Sequence, residues 1–500
     1  MRKCELLEVC SAGKWSGHGH VILNGRWKPV NLAAVHPTAV IDIVGLTGAM
    51  LGPETPNLNA LRRSGSSAPL RSSFPAVTCT AQATYMTGCA PREHGIVGNG
   101  WYFRDLAQVM FWRQPDRLVS GEKVWETARR RDASFTCAKL FWWFNMYGAV
   151  EWSVTPRPIY PADGRKIPEI YSSPADLGAR LSSELGPFPF FDFWGPNSGI
   201  RSSEWIADAA LRVDDWHAPS LLMVYLPHLD YDLQRFGASD RRARQQIAVI
   251  DRVAGRLIDA FAARGRRVVV LSEYGLSDVS RPVHVNRVLR EAGWLAVRDE
   301  LGTDALDPGA SRAFAVADHQ VAHVYVREAR DVPAVRDLLA GVRGIADVLD
   351  AGGIRAHALD HERAGELVAV ADPDAWFTYY YWTDDARAPD YARTVDIHRK
   401  PGYDPAELFL DPELALPKVR VAATLARKAL GFRYLMNVIP LDATLVRGSH
   451  GRIPPTLADG PVLISSEAGA LSAPLEPTAV RDVMLAHLFE DRVRVAGGAD

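Results

Sequence analysis

Thr78 is the residue best placed for chemistry. It lies in Ser73-Phe-Pro-Ala-Val-Thr-Cys-Thr-Ala-Gln-Ala-Thr-Tyr-Met-Thr-Gly88, where Pro75 stiffens the approach, Ala81, Ala83 and Met86 favour a short helix, and Gly88 ends it. A hydroxyl at a helix start meets unpaired backbone N–H groups and the positive end of the dipole. That arrangement stabilises a bound anion, above all a phosphate, beside a potential nucleophile. A threonine that only caps a helix gives the same local pattern, so the reading depends on what else reaches Thr78.

The elements that must position it are those of an α/β core. Thr38-Ala-Val-Ile-Asp-Ile-Val-Gly45 is a branched apolar run ending in Gly, the pattern of a buried parallel strand feeding a loop. Pro56–Arg63 reads as a helix opened by Pro. Leu221–Leu226 and Arg267–Ser272 are further strands, and Ile247, Ile250, Val253, Leu257 and Phe261 form a helical stripe between them. Strand, helix, strand at this distance is a right-handed crossover, so the sheet is expected to be mainly parallel. Ligands of such sheets collect beyond the carboxyl ends of the strands. The segments leaving those ends are Gly45-Leu-Thr-Gly48, Pro227-His-Leu-Asp-Tyr-Asp232 and Ser272-Glu-Tyr-Gly275, and Arg447-Gly-Ser-His-Gly451 is a Gly-bracketed turn presenting His450. Acids, a histidine and Thr78 would therefore share one rim.

Residues 320–440 change character. A small β-α-β unit (His323–Glu328, a helix near 332–342, Ile345–Leu349) and a strand at Gly365–Ala371 precede the aromatic run Trp376-Phe-Thr-Tyr-Tyr-Tyr-Trp382, read as packing or a lid edge rather than a nucleobase platform. The expected organisation is an appendage over 1–36, a core over 37–319, an inserted α+β cap over 320–440 and a return to the core over 441–500. Asp396-Ile-His-Arg-Lys-Pro-Gly-Tyr-Asp404 is a charged, Pro/Gly-punctuated cap loop, and His398, Arg399 and Lys400 could reach an anionic substrate or anchor the loop through salt bridges. His319 and His323 have a helical ligand spacing. Their surroundings read as strand, which would hold them about 13 Å apart.

The totals set limits. The 500 residues are 47% hydrophobic and 23% charged, an ordinary globular composition. A net charge of −2, from 57 basic and 59 acidic residues, supplies no field for a nucleic-acid polymer. No apolar run is long enough for a membrane span, and Glu5 and Glu8 interrupt the N-terminus as a secretory signal. Cysteines 4, 10, 79, 89 and 137 form neither a metal spacing nor a disulfide set, so a reducing cytoplasm is the expected home.

Thr55-Pro-Asn-Leu58, Phe74-Pro-Ala-Val-Thr78, Thr87-Gly88 and Pro91-Arg-Glu-His-Gly-Ile-Val-Gly-Asn99 resemble, in order, the motifs of the alkaline phosphatase superfamily, nucleotide pyrophosphatase/phosphodiesterase branch. The resemblance continues through Asp230, Ser272–Gly275, His361–Val368 and Gly448-Ser-His-Gly451. It implies an α/β alkaline-phosphatase-like core with a mainly parallel central sheet flanked by helices, plus the inserted cap. It further implies a divalent metal cofactor, zinc in the family, as two ions about 4 Å apart. Thr78 would be the nucleophile, Asn99 a phosphoryl-oxygen contact, and Asp230 and His450 ligands of one metal. This chain departs from that pattern. Val44 stands where the family has an Asp; Asp42 shares its strand face but lies about 7 Å back. Gln234 and Tyr274 replace histidines, and Glu273 replaces an Asp. Zinc normally needs three or four good donors, so two ordinary zinc ions are not expected. One altered site could draw on Asp230 and His450 with either Gln234 or the nearby His228 and Asp232, the latter expected on the same face as Asp230, and the second would keep Glu273 as a metal ligand with Thr78 and Tyr274; oxygen donors would suit magnesium or manganese. The implied function is hydrolysis of a phosphodiester or pyrophosphate in a small phosphorylated substrate. The alternatives are a non-catalytic descendant that binds a phosphorylated metabolite or protein partner, and a transferase using the same threonine.

Overall fold

The computed structural model describes residues 35–162, 165–430, 432 and 435–494, together with the backbone of a two-stranded ribbon at Gly19–Leu23 and Arg26–Val30. Cys4, Cys10 and most of the expected appendage lie outside the described residues.

An eight-stranded sheet organises the core. From one edge its strands are Ser66–Pro69, Val462–Ser465, Arg267–Leu271, Thr38–Ile43, Leu221–Leu226, Cys137–Leu140, Trp152–Pro156 and Ile170–Ser173. The five strands from Arg267–Leu271 to Trp152–Pro156 run parallel, and antiparallel strands close both edges, so the sheet is mixed around a parallel centre. Thr38–Ile43 and Leu221–Leu226 are buried throughout, which explains their unbroken apolar character. The helix Arg241–Ala263 crosses from Leu221–Leu226 to Arg267–Leu271, and these two strands flank Thr38–Ile43. It buries the Ile247, Ile250, Val253, Leu257 and Phe261 stripe.

The cap is built on a four-stranded antiparallel sheet ordered Ala313–Asp318, Val321–Val326, Leu367–Ala371, Ile345–Leu349. Ala313–Asp318 belongs to this sheet, so the boundary expected at 320 falls inside a hairpin. Trp376, Phe377 and Tyr379–Trp382 are buried in the apolar cluster of this second unit, as packing residues. No helix among the described residues is long and apolar enough to cross a membrane.

Candidate active site

The helix Thr78–Thr87 is buried along its whole length and ends at Gly88, whose φ of 67° is the left-handed stop expected of it. Val77 is the cap, so Thr78 is the first helical residue and its hydroxyl is released from capping. Tyr85 fixes the helix against the end of a core strand by donating to the Ser272 carbonyl at 2.9 Å. This sets Thr78 Oγ1 3.3 Å from the Tyr274 hydroxyl, with the buried Glu273 carboxylate, whose Oε2 has no hydrogen-bond partner among the described residues, beside it.

Asp230 and Gln234 approach from the helix His228–Phe236, which starts directly after the strand Leu221–Leu226. Residues four apart share a helix face, so the Gln234 amide donates to Asp230 Oδ2, and the Tyr274 hydroxyl donates to Asp230 Oδ1 at 3.4 Å. The turn bearing His450 packs tightly on this helix, where a Cβ on Gly448 would collide with the Leu233 carbonyl oxygen. His450 Nδ1 bonds the Ala76 carbonyl at 2.8 Å, which leaves Nε2 as the unprotonated acceptor. Its ring lies between Tyr274, stacked at 3.8 Å, and His319, at 3.9 Å. Burial pulls the His450 pKa down to about 3, so the ring is neutral.

Thr78, Asn99, Asp230, Gln234, Tyr274, His319 and His450 line one small cavity of about 40 Å³, walled by Trp112, Trp143, Trp194 and Tyr403 among others. Glu273 and Asp42 sit behind it. Burial pushes the Asp230 carboxyl up to about 7 and raises Glu273, and burial together with the neighbouring Glu273 charge raises Asp42. The Asn99 side chain is fully hydrogen-bonded within the protein. Its Oδ1 accepts from the Cys79 N–H at 2.9 Å, and its amide donates to Asp318 at 3.1 Å and to the Tyr403 hydroxyl at 3.2 Å. Asp318 also takes the Asn99 backbone N–H at 2.7 Å, so the cap orients this side chain.

Several expected site residues go elsewhere. Asp232 lies on a helix rather than a strand, two residues from Asp230 and therefore on another face, and it pairs with Arg235 at 2.8 Å. His228 bonds Gln246 at 3.0 Å. Asp42 is a layer back, 3.3 Å from Gln82. None of the three cap residues lines the cavity. Lys400 forms a buried ion pair with Glu407 at 2.6 Å, the Arg399 guanidinium lies 5.0 Å from the Tyr160 ring centre, and burial draws His398 down to about 4, leaving it uncharged at neutral pH. His323 is spent on the Val97 carbonyl at 2.8 Å, while its neighbour His319 reaches the site from a left-handed backbone (φ 59°). Sequence reasoning misses Gln82, Asp318, Tyr403 and the aromatic wall. Gln82 carries a signal in being four residues after Thr78, and Trp142-Trp143 in coming directly after a core strand.

The family model described as "Type I phosphodiesterase / nucleotide pyrophosphatase" matches residues 38–404. The chain belongs to this family. Phosphoester hydrolysis is the chemistry of such phosphodiesterases and pyrophosphatases, and the family generally uses divalent metals. An uncharacterized pyrophosphatase/phosphodiesterase of Schizosaccharomyces pombe is 26% identical over 239 residues, 45% of this chain and 41% of that protein, so the match spans less than half of the relative's length. Phosphonoacetate hydrolase from Sinorhizobium meliloti 1021 superposes with a TM-score of 0.58 at 15% identity, covering 93% of this chain and 98% of that one. Murine ectonucleotide pyrophosphatase / phosphodiesterase 5, solved in complex with AMP, gives 0.54 at 15% identity, over 93% and 97%. These structures establish an alkaline-phosphatase-like fold.

The metal pair implied by the family does not fit this donor set. No group of three or more His, Cys, Asp or Glu side chains among the described residues is arranged to hold an ion. Val44 is fully buried in the core and offers no donor, and both oxygens of Asp230 already accept hydrogen bonds from Gln234 and Tyr274.

Proposed function

We infer that the chain hydrolyses a phosphodiester through Thr78. The observation that carries this reading is the Thr78 hydroxyl at the start of a buried helix, 3.3 Å from the Tyr274 hydroxyl that bonds Asp230, with the Glu273 carboxylate beside it. Glu273, made more basic by burial, accepts the Thr78 proton as Oγ1 attacks phosphorus. The P–O bond to the leaving alcohol breaks, and the Asp230 carboxyl, directly or through the Tyr274 hydroxyl, supplies the proton that the alcohol leaves with. In the second half-reaction the same pair takes a proton from water, which attacks the phospho-threonine, and Glu273 returns its proton to Thr78. No Lys or Arg among the described residues lines the cavity. A diester, with one negative charge, therefore meets less repulsion from the Glu273 carboxylate than a dianionic monoester.

A second reading has its own observation. The donors of Asn99 and the acceptors of Asp230 are all engaged within the protein, as they would be in a non-catalytic descendant that binds a phosphorylated metabolite or a protein partner. Assay of the purified chain on p-nitrophenyl phosphate monoester and diester, with and without added zinc, manganese or magnesium, separates the two. The hydrolase reading expects diester turnover that Thr78→Ala abolishes. No turnover under any condition, or full turnover by Thr78→Ala, overturns it.

A further inference from the structure

We propose that two glutamine side chains, Gln82 and Gln234, stand in this site where cations would otherwise be needed, so that its buried acids are held together without a metal pair. Gln82 sits one helical turn behind Thr78 on the same face. Its Nε2 donates to Glu273 Oε1 at 2.7 Å and to Asp42 Oδ2 at 3.3 Å, and so lies between two fully buried carboxyl groups. The amide cannot turn over without loss. Its Oε1 accepts the Trp143 backbone N–H at 2.7 Å, which fixes the nitrogen toward the acids. The Gln234 amide nitrogen likewise donates to Asp230 Oδ2, although its own oxygen has no partner among the described residues.

Three features make this a replacement rather than a metal site awaiting its ion. Amide and phenol donors reach Glu273 Oε1, Asp42 Oδ2 and both oxygens of Asp230, while Glu273 Oε2 and Asp42 Oδ1 are left without a partner among the described residues. The Tyr274 hydroxyl fills the gap between Thr78 and Asp230, within 3.4 Å of each. A neutral amide or phenol is also a poor ligand for zinc, which prefers thiolate, imidazole and carboxylate. Hydrogen-bond donors neutralise a buried carboxyl only partly, so the pairing is sensitive to losing even one of them. The inference concerns what holds the acids and stands whether or not Thr78 turns over a substrate.

The test reads metal content and thermal stability of the full chain, not activity. Wild-type protein exposed to zinc or manganese and then dialysed is expected to retain well under one ion per chain by mass spectrometry. Its melting temperature should not rise when either ion is added. Gln82→Glu exchanges the donor for a third acid. In metal-free buffer it is expected to melt about 2 °C or more below wild type, and added zinc or manganese should recover part of the loss. Stoichiometric metal retained by the wild type overturns the proposal, and so does a Gln82→Glu variant as stable as the wild type. If Gln82→Glu does not fold, Gln234→Glu, nearer the cavity, is read by the same two measurements and the same criteria.

Discussion

The two flanks of the Thr78 oxygen are built differently. On one flank lie a buried helix start, the Glu273 carboxylate beside the hydroxyl, and Asn99 held against the first turn. On the other, where the family pattern calls for metal ligands, stand Val44, Gln234 and Tyr274. Both flanks are set by the same backbone scaffold, the ends of three adjacent parallel strands. The difference shows that strand ends and helix starts fix where side chains converge, whereas the chemistry at that point is decided by residue identity alone.

The largest effect that sharpens the comparison is at the nucleophile. Thr78→Ala is expected to lower diester turnover by on the order of 10³-fold or more, with its melting curve unchanged; a rate near wild type would remove Thr78 from the chemistry. Glu273→Gln comes next, with a loss of roughly 10²–10⁴-fold expected of a missing general base. In the wild type, log kcat/KM should rise with pH toward neutrality as Glu273 deprotonates, and in the variant this limb should be absent. An unchanged pH profile would assign the proton to another group.

The cap provides the contrast in stability. Lys400→Met leaves Glu407 as an unpaired buried acid and is expected to cost about 3–5 kcal/mol by denaturant titration, with turnover of the folded fraction preserved. A raised KM at full stability would instead place Lys400 on substrate. Arg399→Ala, at an exposed position, should stay within about 0.5 kcal/mol. A further effect is on pH and stability. Burial raises Asp230 and Asp404 to about 7 and Asp318 to about 6, from an ordinary 3.8. The folded state then holds more protons than the unfolded state between those limits. These acids therefore contribute stability that is complete below pH ~4 and is lost as pH rises through ~6–7. Melting temperatures measured from mildly acid to mildly alkaline pH should fall; a rise across neutrality would contradict the burial of these acids in their neutral form.

Much of the molecule is legible in its sequence, for identifiable reasons. Thr38–Ile43 and Leu221–Leu226 are buried on both faces and so carry continuous apolar runs, and Gly88 marks the end of the Thr78 helix unambiguously. The acids after the strand ends are readable because topology sends such loops to one rim. Asp232 is misplaced because Pro227-His-Leu-Asp-Tyr-Asp reads as an extended loop until the turn into a helix is known. The bonds that hold Asn99 depend on Asp318 and Tyr403, more than 200 residues away along the chain, and no local pattern announces them. The charge on Lys400 reads as available because its partner Glu407, seven residues on, is brought back by a short turn.

The central claim is that Thr78 itself carries the phosphoryl group. Rapid quenching of the chain during turnover of a p-nitrophenyl phosphodiester, with peptide mass spectrometry of the quenched protein, tests it most directly. The account predicts a phosphorylated adduct on the peptide containing Thr78 that appears with the first turnover and is absent in Thr78→Ala. Sustained turnover with that peptide unmodified at every quench time would contradict it.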